Sequence, residues 1–129
     1  MTTAILEHIN VTVNDSKATA ARLCDLFDWK IRWEGGSMDG LGYTCHVGGE
    51  NSYLAVYSPV GGTKTAADST YIQSAGLNHV GLVVDDIDAM EARVKAAGYV
   101  PKNHGDYEPG KRFYFDDADG IEFEIVSYA

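Results

Sequence analysis

Leu6-Glu7-His8-Ile9-Asn10-Val11-Thr12-Val13-Asn14-Asp15 lies over Leu77-Asn78-His79-Val80-Gly81-Leu82-Val83-Val84-Asp85-Asp86 at an offset of 71 residues. The correspondence continues through Ala18 with Ala89, Arg22 with Arg93 and Leu23 with Val94. The tails also correspond, Tyr53-Leu54-Ala55-Val56 falling on Phe123-Glu124-Ile125-Val126 at an offset of 70. Self-similarity of this kind marks each copy as one supersecondary unit. The chain therefore reads as repeat one over about 1–59, a connector over about 60–76 and repeat two over about 77–129. The connector, rich in Gly, Thr, Ser and Ala, reads as a loop.

Each copy opens with an alternating strand. Ile9, Val11 and Val13 point one way and His8, Asn10 and Thr12 the other; in the second copy Val80, Leu82 and Val84 oppose His79, Gly81 and Val83. An N-cap signal follows, Asp15-Ser16 or Asp85-Asp86. The apolar positions Ala18, Ala21, Leu23 and Leu26, or Ile87, Met90, Val94 and Ala97, then recur at helical spacing. Asp28 and Gly98 fall near the helix ends. Three shorter strands are expected after each helix, at about 29–34, 43–47 and 52–58, and at about 99–102, 112–116 and 121–127. The expected fold class is α+β: two βαβββ repeats whose curved mixed sheets enclose a cavity, with the helices on the outer faces. His8, Asn10 and Thr12 are an unusual set for a core strand, so the face away from the helix is where chemistry is sought.

The 129 residues suit one domain with a real core. With 45% hydrophobic and 22% charged residues the composition is that of a globular chain rather than a disordered one. No apolar run approaches the ~20 residues needed to span a bilayer. The start, with Glu7 and His8, lacks a basic region followed by an apolar stretch, so no signal peptide is expected. The expected compartment is the cytoplasm. Cys24 and Cys45 fit structural free thiols there. The net charge of −9, without any cluster of Lys and Arg, argues against nucleic acid or an anionic membrane as partner. A small molecule, or a second copy of the chain, is the partner expected.

The paired openings, the helices and the closing run Phe113-Tyr114-Phe115-Asp116-Asp117-Ala118-Asp119-Gly120-Ile121-Glu122-Phe123-Glu124 resemble the vicinal oxygen chelate superfamily. This group comprises the glyoxalase, bleomycin-resistance and extradiol-dioxygenase proteins. The resemblance covers essentially the whole chain. It implies a divalent metal held by one residue from the first strand and one from the last strand of each copy. Carried over, those positions are His8, Leu54, His79 and Glu124. Two His and one carboxylate suit Fe(II), and also Mn, Ni or Zn, with open positions left for substrate. Leu54 departs from the glyoxalase I pattern, which has a Glu there; dioxygenase-like coordination by His8, His79 and Glu124 alone is thereby favoured over lactoylglutathione lyase chemistry. Against the dioxygenase closing motif, His104 and Tyr114 are candidate catalytic residues, although the His-to-Tyr spacing is one residue long and Ala118 replaces the usual Pro. The resemblance also implies a homodimer.

Each candidate has a plainer reading. A lone strand His is commonly a hydrogen-bonded or surface residue, but two at equivalent repeat positions with a Glu at a third shift the balance to metal. Glu124 could face water, as Glu122 does on the same face. His46 would be a pocket base if Thr44 lies opposite Tyr114, and is otherwise a surface residue. His104 falls in an expected loop. Arg112 could pair with a substrate carboxylate, an exposed strand Arg being the commoner situation. Trp29 and Trp33, spaced by four, are expected to face one side and pack. The reading is a metal-dependent enzyme acting on a small oxygenated metabolite by dioxygenase-like or by lyase or isomerase chemistry. The rival is a metal-free small-molecule-binding protein of the bleomycin-resistance type, favoured by the apolar fourth position.

Overall fold

Asp15 and Asp86 fix where the helices begin. The computed structural model describes residues 3–37, 40–65, 68–107 and 109–129. In it the Asp15 carboxylate accepts from the Ala18 amide at 3.1 Å, and that of Asp86 from the Ala89 amide at 3.0 Å. Each side chain thereby satisfies one of the amides that a helix start leaves without a partner. Helix α1 spans Ser16–Phe27 and ends at Asp28, which adopts the left-handed conformation at φ 58°. Helix α2 spans Ile87–Ala96 and is closed by Gly98 at φ 94°.

The chain divides into two compact units, Met1–Thr65 and Ala66–Ala129, each with one helix and one four-stranded mixed sheet. Unit one holds β1 (His8–Thr12), α1, β2 (Lys30–Ser37), β3 (Gly42–Gly48) and β4 (Tyr53–Pro59), in the order β1-β4-β3-β2. Unit two holds β5 (Val80–Val83), α2, β6 (Lys102–Tyr107), β7 (Gly110–Asp116) and β8 (Glu122–Ser127), in the order β5-β8-β7-β6. In both, the first strand runs parallel to the last, and the other pairs are antiparallel. Two βαβββ modules are thus present.

The core of unit one lies between sheet and helix: Cys45, Val47, Leu54 and Val56 are buried, as are Ala20, Leu23, Leu26 and Phe27 of α1. The buried stripe of α1 also takes in Ser16 and Thr19, whereas Ala21 is exposed and Ala18 only half-buried. The stripe is thus rotated from the expected one, because small polar residues pass into the core where a hydroxyl finds a partner; Ser16 Oγ meets Ser58 Oγ at 2.8 Å. In unit two Phe113, Phe115, Phe123 and Ile125 are fully buried, and Val94 is the buried residue of α2. Ala97 is exposed just past the helix end.

The ladder corrects the alignment of the tails. Ile9 pairs with Leu54 and Asn10 with Ala55; Val80 pairs with Phe123 and Gly81 with Glu124. The structural counterpart of Glu124 is therefore Ala55, at an offset of 69, and Leu54 matches Phe123. Leu54 is 4% exposed and belongs to the helix-facing core. A one-residue slip in a strand exchanges its two faces, and the short apolar tail did not by itself fix the register. The same ladders place His46 opposite Ala55 and Tyr114 opposite Glu124, so His46, not Thr44, is the counterpart of Tyr114.

Two further expectations change. Strand β6 begins at Lys102, where the expected strand ended, and Asn103, at φ 52°, lies in a break of register between Lys102 and Gly105. His104 is thus in a strand rather than a loop. A second register break lies between Ile31 and Trp33. Trp29 packs near Phe27, with ring centroids 4.9 Å apart, whereas Trp33 is half exposed beside His46.

Candidate functional site

The strand period sends His8, Tyr53, Ala55, Tyr57, Thr44 and His46 to the face of unit one away from α1, while their neighbours Leu54, Val56, Cys45 and Val47 enter the core. On that open face three rings form a stack: His8 lies 4.8 Å from Tyr53, and Tyr53 4.5 Å from His46. His8 Nδ1 contacts Glu7 Oε1 at 2.9 Å, and the Tyr53 hydroxyl donates to that same oxygen at 3.2 Å. The Glu7 carboxyl is held below the usual carboxylate range by these bonds, first from His8 and then from Tyr53. Burial depresses the basicity of His46, and the nearby His8 and Arg32 add to the effect, with Glu7 opposing. His46 is therefore a neutral imidazole near pH 7, able to accept a proton or a hydrogen bond. Beside it a cleft of about 410 Å³ is lined by Asn10, Trp33, Ser37, Thr44, His46 and Tyr57.

The corresponding face of unit two is built from charges. Glu124 Oε2 accepts from the Tyr114 hydroxyl at 2.9 Å and from Arg112 Nη1 at 3.0 Å. Its other oxygen, Oε1, lies 3.4 Å from His79 Nε2. His79 Nδ1 contacts Asn78 Oδ1 at 2.7 Å, and its ring stands edge-on to Tyr114. Gly81 is the ladder partner of Glu124, and a Cβ there would come within 3.5 Å of Oε1. Burial and then the bond to Glu124 raise the Tyr114 phenol above its ordinary range. The Arg112 side chain is only 14% exposed, not the exposed strand arginine that is commoner. Its Nε and Nη2 are shielded from solvent and have no hydrogen-bond partner among the described residues. Further along this face Lys102 reaches Asp116 at 2.8 Å and Glu122 at 3.2 Å, and Glu122 also accepts from the Tyr71 hydroxyl.

Among the sequence candidates, unit two brings His79, Glu124 and Tyr114 together, and unit one brings His8 and His46 together. His104 lies apart from Tyr114 and Glu124: its Nε2 meets Glu91 Oε2 of α2 at 3.0 Å, and its ring stacks near the buried Phe113. Among the described residues no three His, Cys, Asp or Glu side chains are grouped closely enough to hold a metal ion. The donors nonetheless suit a divalent ion. In each unit the Nδ1 of the strand-opening His is engaged by an oxygen of the preceding residue. That is the outer-shell arrangement which fixes a ligating imidazole and leaves Nε2 available. Glu124 is likewise held at one oxygen with the other turned to His79. Glu7 and Asn78 were not singled out from the sequence, although the signal is there: each repeat has an oxygen-bearing residue directly before its His.

The model of the Glyoxalase/Bleomycin resistance protein/Dioxygenase superfamily matches residues 5–125. No curated protein matches the chain. Among solved structures, the chain is similar to a glyoxylase/bleomycin resistance protein/dioxygenase domain from a Frankia species. The identity is 22%, with a TM-score of 0.81 and 98% of each chain covered. It is also similar to a mutant of the fosfomycin resistance protein FosX from Listeria monocytogenes, complexed with Mn(II) and a dihydroxypropylphosphonic acid. There the identity is 22% and the TM-score 0.73, over 97% of this chain and 93% of that one. A third similar structure is TnmS3, an antibiotic binding protein from a Streptomyces species, at 16% identity and a TM-score of 0.76, over 100% and 99%. These similarities concern the fold.

Proposed function

Since the chain belongs to the Glyoxalase/Bleomycin resistance protein/Dioxygenase superfamily, we propose that it is a divalent-metal-dependent enzyme acting on a small oxygenated metabolite. His8, His79 and Glu124 would hold the ion. The observation that carries this reading is the pair His79 Nε2 and Glu124 Oε1, 3.4 Å apart, each with its other polar atom already engaged. When bound, the ion supplies Lewis acidity toward adjacent substrate oxygens. The chain's own residues do the rest. Tyr114 and Arg112 hold Glu124 Oε2 and so orient its Oε1. His46, neutral at pH 7, would accept a proton from substrate. Ala55, which bears no donor, leaves a three-residue ligand set, and this favours dioxygenase-like coordination over lyase or isomerase chemistry. His104, engaged with Glu91 on the helix side, takes no part in the proposed chemistry.

The two units act in this proposal as one functional domain, and the protein as a cytoplasmic homodimer. No helix among the described residues is long and apolar enough to cross a membrane.

A specific observation favours a second reading, a metal-free binding protein: the cleft beside His46 has aromatic walls, Trp33 and Tyr57, and the strand beside it offers Ala55 where a ligand would stand. Metal content separates the two. Anaerobically purified wild type and a His79→Ala variant are compared by plasma mass spectrometry after loading with Fe, Mn, Ni or Zn. Stoichiometric metal that is lost in the variant is expected. Absence of metal from wild type after every loading would leave the binding protein as the better reading.

A further inference from the structure

We infer that Arg112 is the anchor for a carboxylate of the ligand, received on its Nε–Nη2 edge beside the Tyr107 ring. A guanidinium presents Nε–H and one Nη2–H side by side on one edge, a spacing that matches the two oxygens of a carboxylate. In Arg112 the opposite nitrogen, Nη1, is committed to Glu124 Oε2 at 3.0 Å. The paired edge has no hydrogen-bond partner among the described residues and no access to water. Shielded donors of this kind are rare in folded proteins, and an unpartnered one calls for an explanation such as a missing ligand.

What covers the guanidinium is an aromatic ring rather than an acceptor. The Tyr107 ring centroid lies 4.9 Å from Arg112 Cζ. That ring rests on Gly105, the ladder partner of Arg112, where a Cβ would come within 2.5 Å of Tyr107 Cε1. Tyr107 is 61% exposed at the end of β6, so its ring can swing outward with little loss of packing. Outward movement of the ring would open the way to the paired edge, where a ligand carboxylate would make two charge-assisted hydrogen bonds.

Charge selects a carboxylate over a phosphate or phosphonate. The single positive charge of Arg112 already faces Glu124, and Glu122 stands on the same face of β8. The chain carries a net charge of −9. A monoanion is tolerated there far better than a dianion. The inference rests on reading this face of unit two as the ligand side, and does not depend on the metal.

The test uses full-length protein, once treated with EDTA and once metal-loaded. The arginine Nε–H signals are followed by proton–nitrogen NMR during titration with acetate, methylphosphonate or chloride at constant ionic strength. Acetate is expected to shift the Arg112 signal saturably in the millimolar range in the EDTA-treated protein, and chloride is not. Tyr107→Ala, a change at an exposed side chain, is expected to tighten acetate binding about five-fold by opening access to the guanidinium. Arg112→Lys, which keeps the charge and loses the paired edge, is expected to weaken it about ten-fold or more, read from the backbone amide signals of Gly105 and Phe113 followed in the same titrations of wild type. No saturable shift in either wild type or Tyr107→Ala would overturn the proposal, as would an equal response to chloride. Tighter binding of methylphosphonate than of acetate would overturn the carboxylate assignment. Acetate binding in protein that takes up no metal would leave this inference standing while the metal reading fails; metal uptake without any response at Arg112 would do the reverse.

Discussion

Replacing Leu54 and Ala55 in turn by Glu tests the register on which the site is built. Leu54 is 4% exposed among the core residues Val47, Val56 and Leu23. A Glu there would lose the transfer free energy of a buried Leu, about 2 kcal/mol. Its carboxylate would have no partner and would enter the core protonated, which at pH 7 costs about 4 kcal/mol against an ordinary pKa near 4.3. Leu54→Glu is therefore expected to cost about 6 kcal/mol, enough to unfold a domain with a typical stability of about 5–15 kcal/mol. Ala55 is as well covered, at 2% exposure, but on the opposite face. Its ladder neighbours are Asn10 and His46, both able to meet a carboxylate. Ala55→Glu is expected to cost about 1–3 kcal/mol, the range for crowding a packed position, and to leave the protein folded. Urea denaturation followed by tryptophan fluorescence measures both. If Leu54→Glu folds as stably as Ala55→Glu, or Ala55→Glu is the one that unfolds, then the face assignment is wrong and Leu54 returns as the fourth position.

Two other expectations follow from named contacts. Burial first, and then His8 and Arg32, keep the His46 imidazole below its ordinary pKa. The unfolded chain therefore takes up this proton first as pH falls, so stability present above about pH 6.5 declines through the range below it. His46→Gln should lack that part of the decline in denaturant titrations at a series of pH values, and an unchanged profile would count against the shift. In the turn before β8, Asp117 Oδ1 accepts from the amides of Asp119 and Ile121, both at 2.9 Å, and Asp117 is 8% exposed. Asp117→Ala should cost about 2–3 kcal/mol by leaving these donors unsatisfied. A loss below about 0.5 kcal/mol, the size of an ordinary surface change, would show that the turn holds itself without the carboxylate.

The βαβββ repeat was legible because it rests on local and periodic signals. Asp15 and Asp86 cap, Asp28 and Gly98 terminate, and the first strands alternate, all within short windows of sequence. What was not legible depended on where a strand departs from regularity. The break at Asn103 turns His104 toward Glu91, and the break after Ile31 accompanies the exposure of Trp33; Pro101 and Gly105 flank the first without fixing the residue at which it falls, and the second has neither residue type within it. The pairing of Leu54 rather than Ala55 with Ile9 is a fact of the ladder, and the sequence Tyr-Leu-Ala-Val fits either face by composition. Arg112 illustrates the same limit from the side of charge. A strand Arg is ordinarily solvated, and only the approach of Glu124 from β8 and of Tyr107 from β6 makes it a half-buried group.

Taken at equivalent ladder positions, the repeats have diverged in one direction. Ala55, His46 and Thr44 in unit one stand where unit two has Glu124, Tyr114 and Arg112. Ala55 and Thr44 carry no charge where Glu124 and Arg112 do, His46 has an imidazole in place of a phenol, and Trp33 and Tyr57 wall the cleft beside them. Unit two keeps the carboxylate, the guanidinium and the phenol bound to one another through Glu124 Oε2. The face of unit one therefore suits an apolar, flat group, and that of unit two an anionic or oxygen-rich one. At the face of unit two a purely apolar compound would leave the Arg112 edge unpaired, and a small polyanion would be repelled by Glu122 and Glu124. Carboxylates are therefore the first compounds to test against unit two, and flat aromatic compounds against the cleft of unit one, whether the protein turns such a compound over or only binds it.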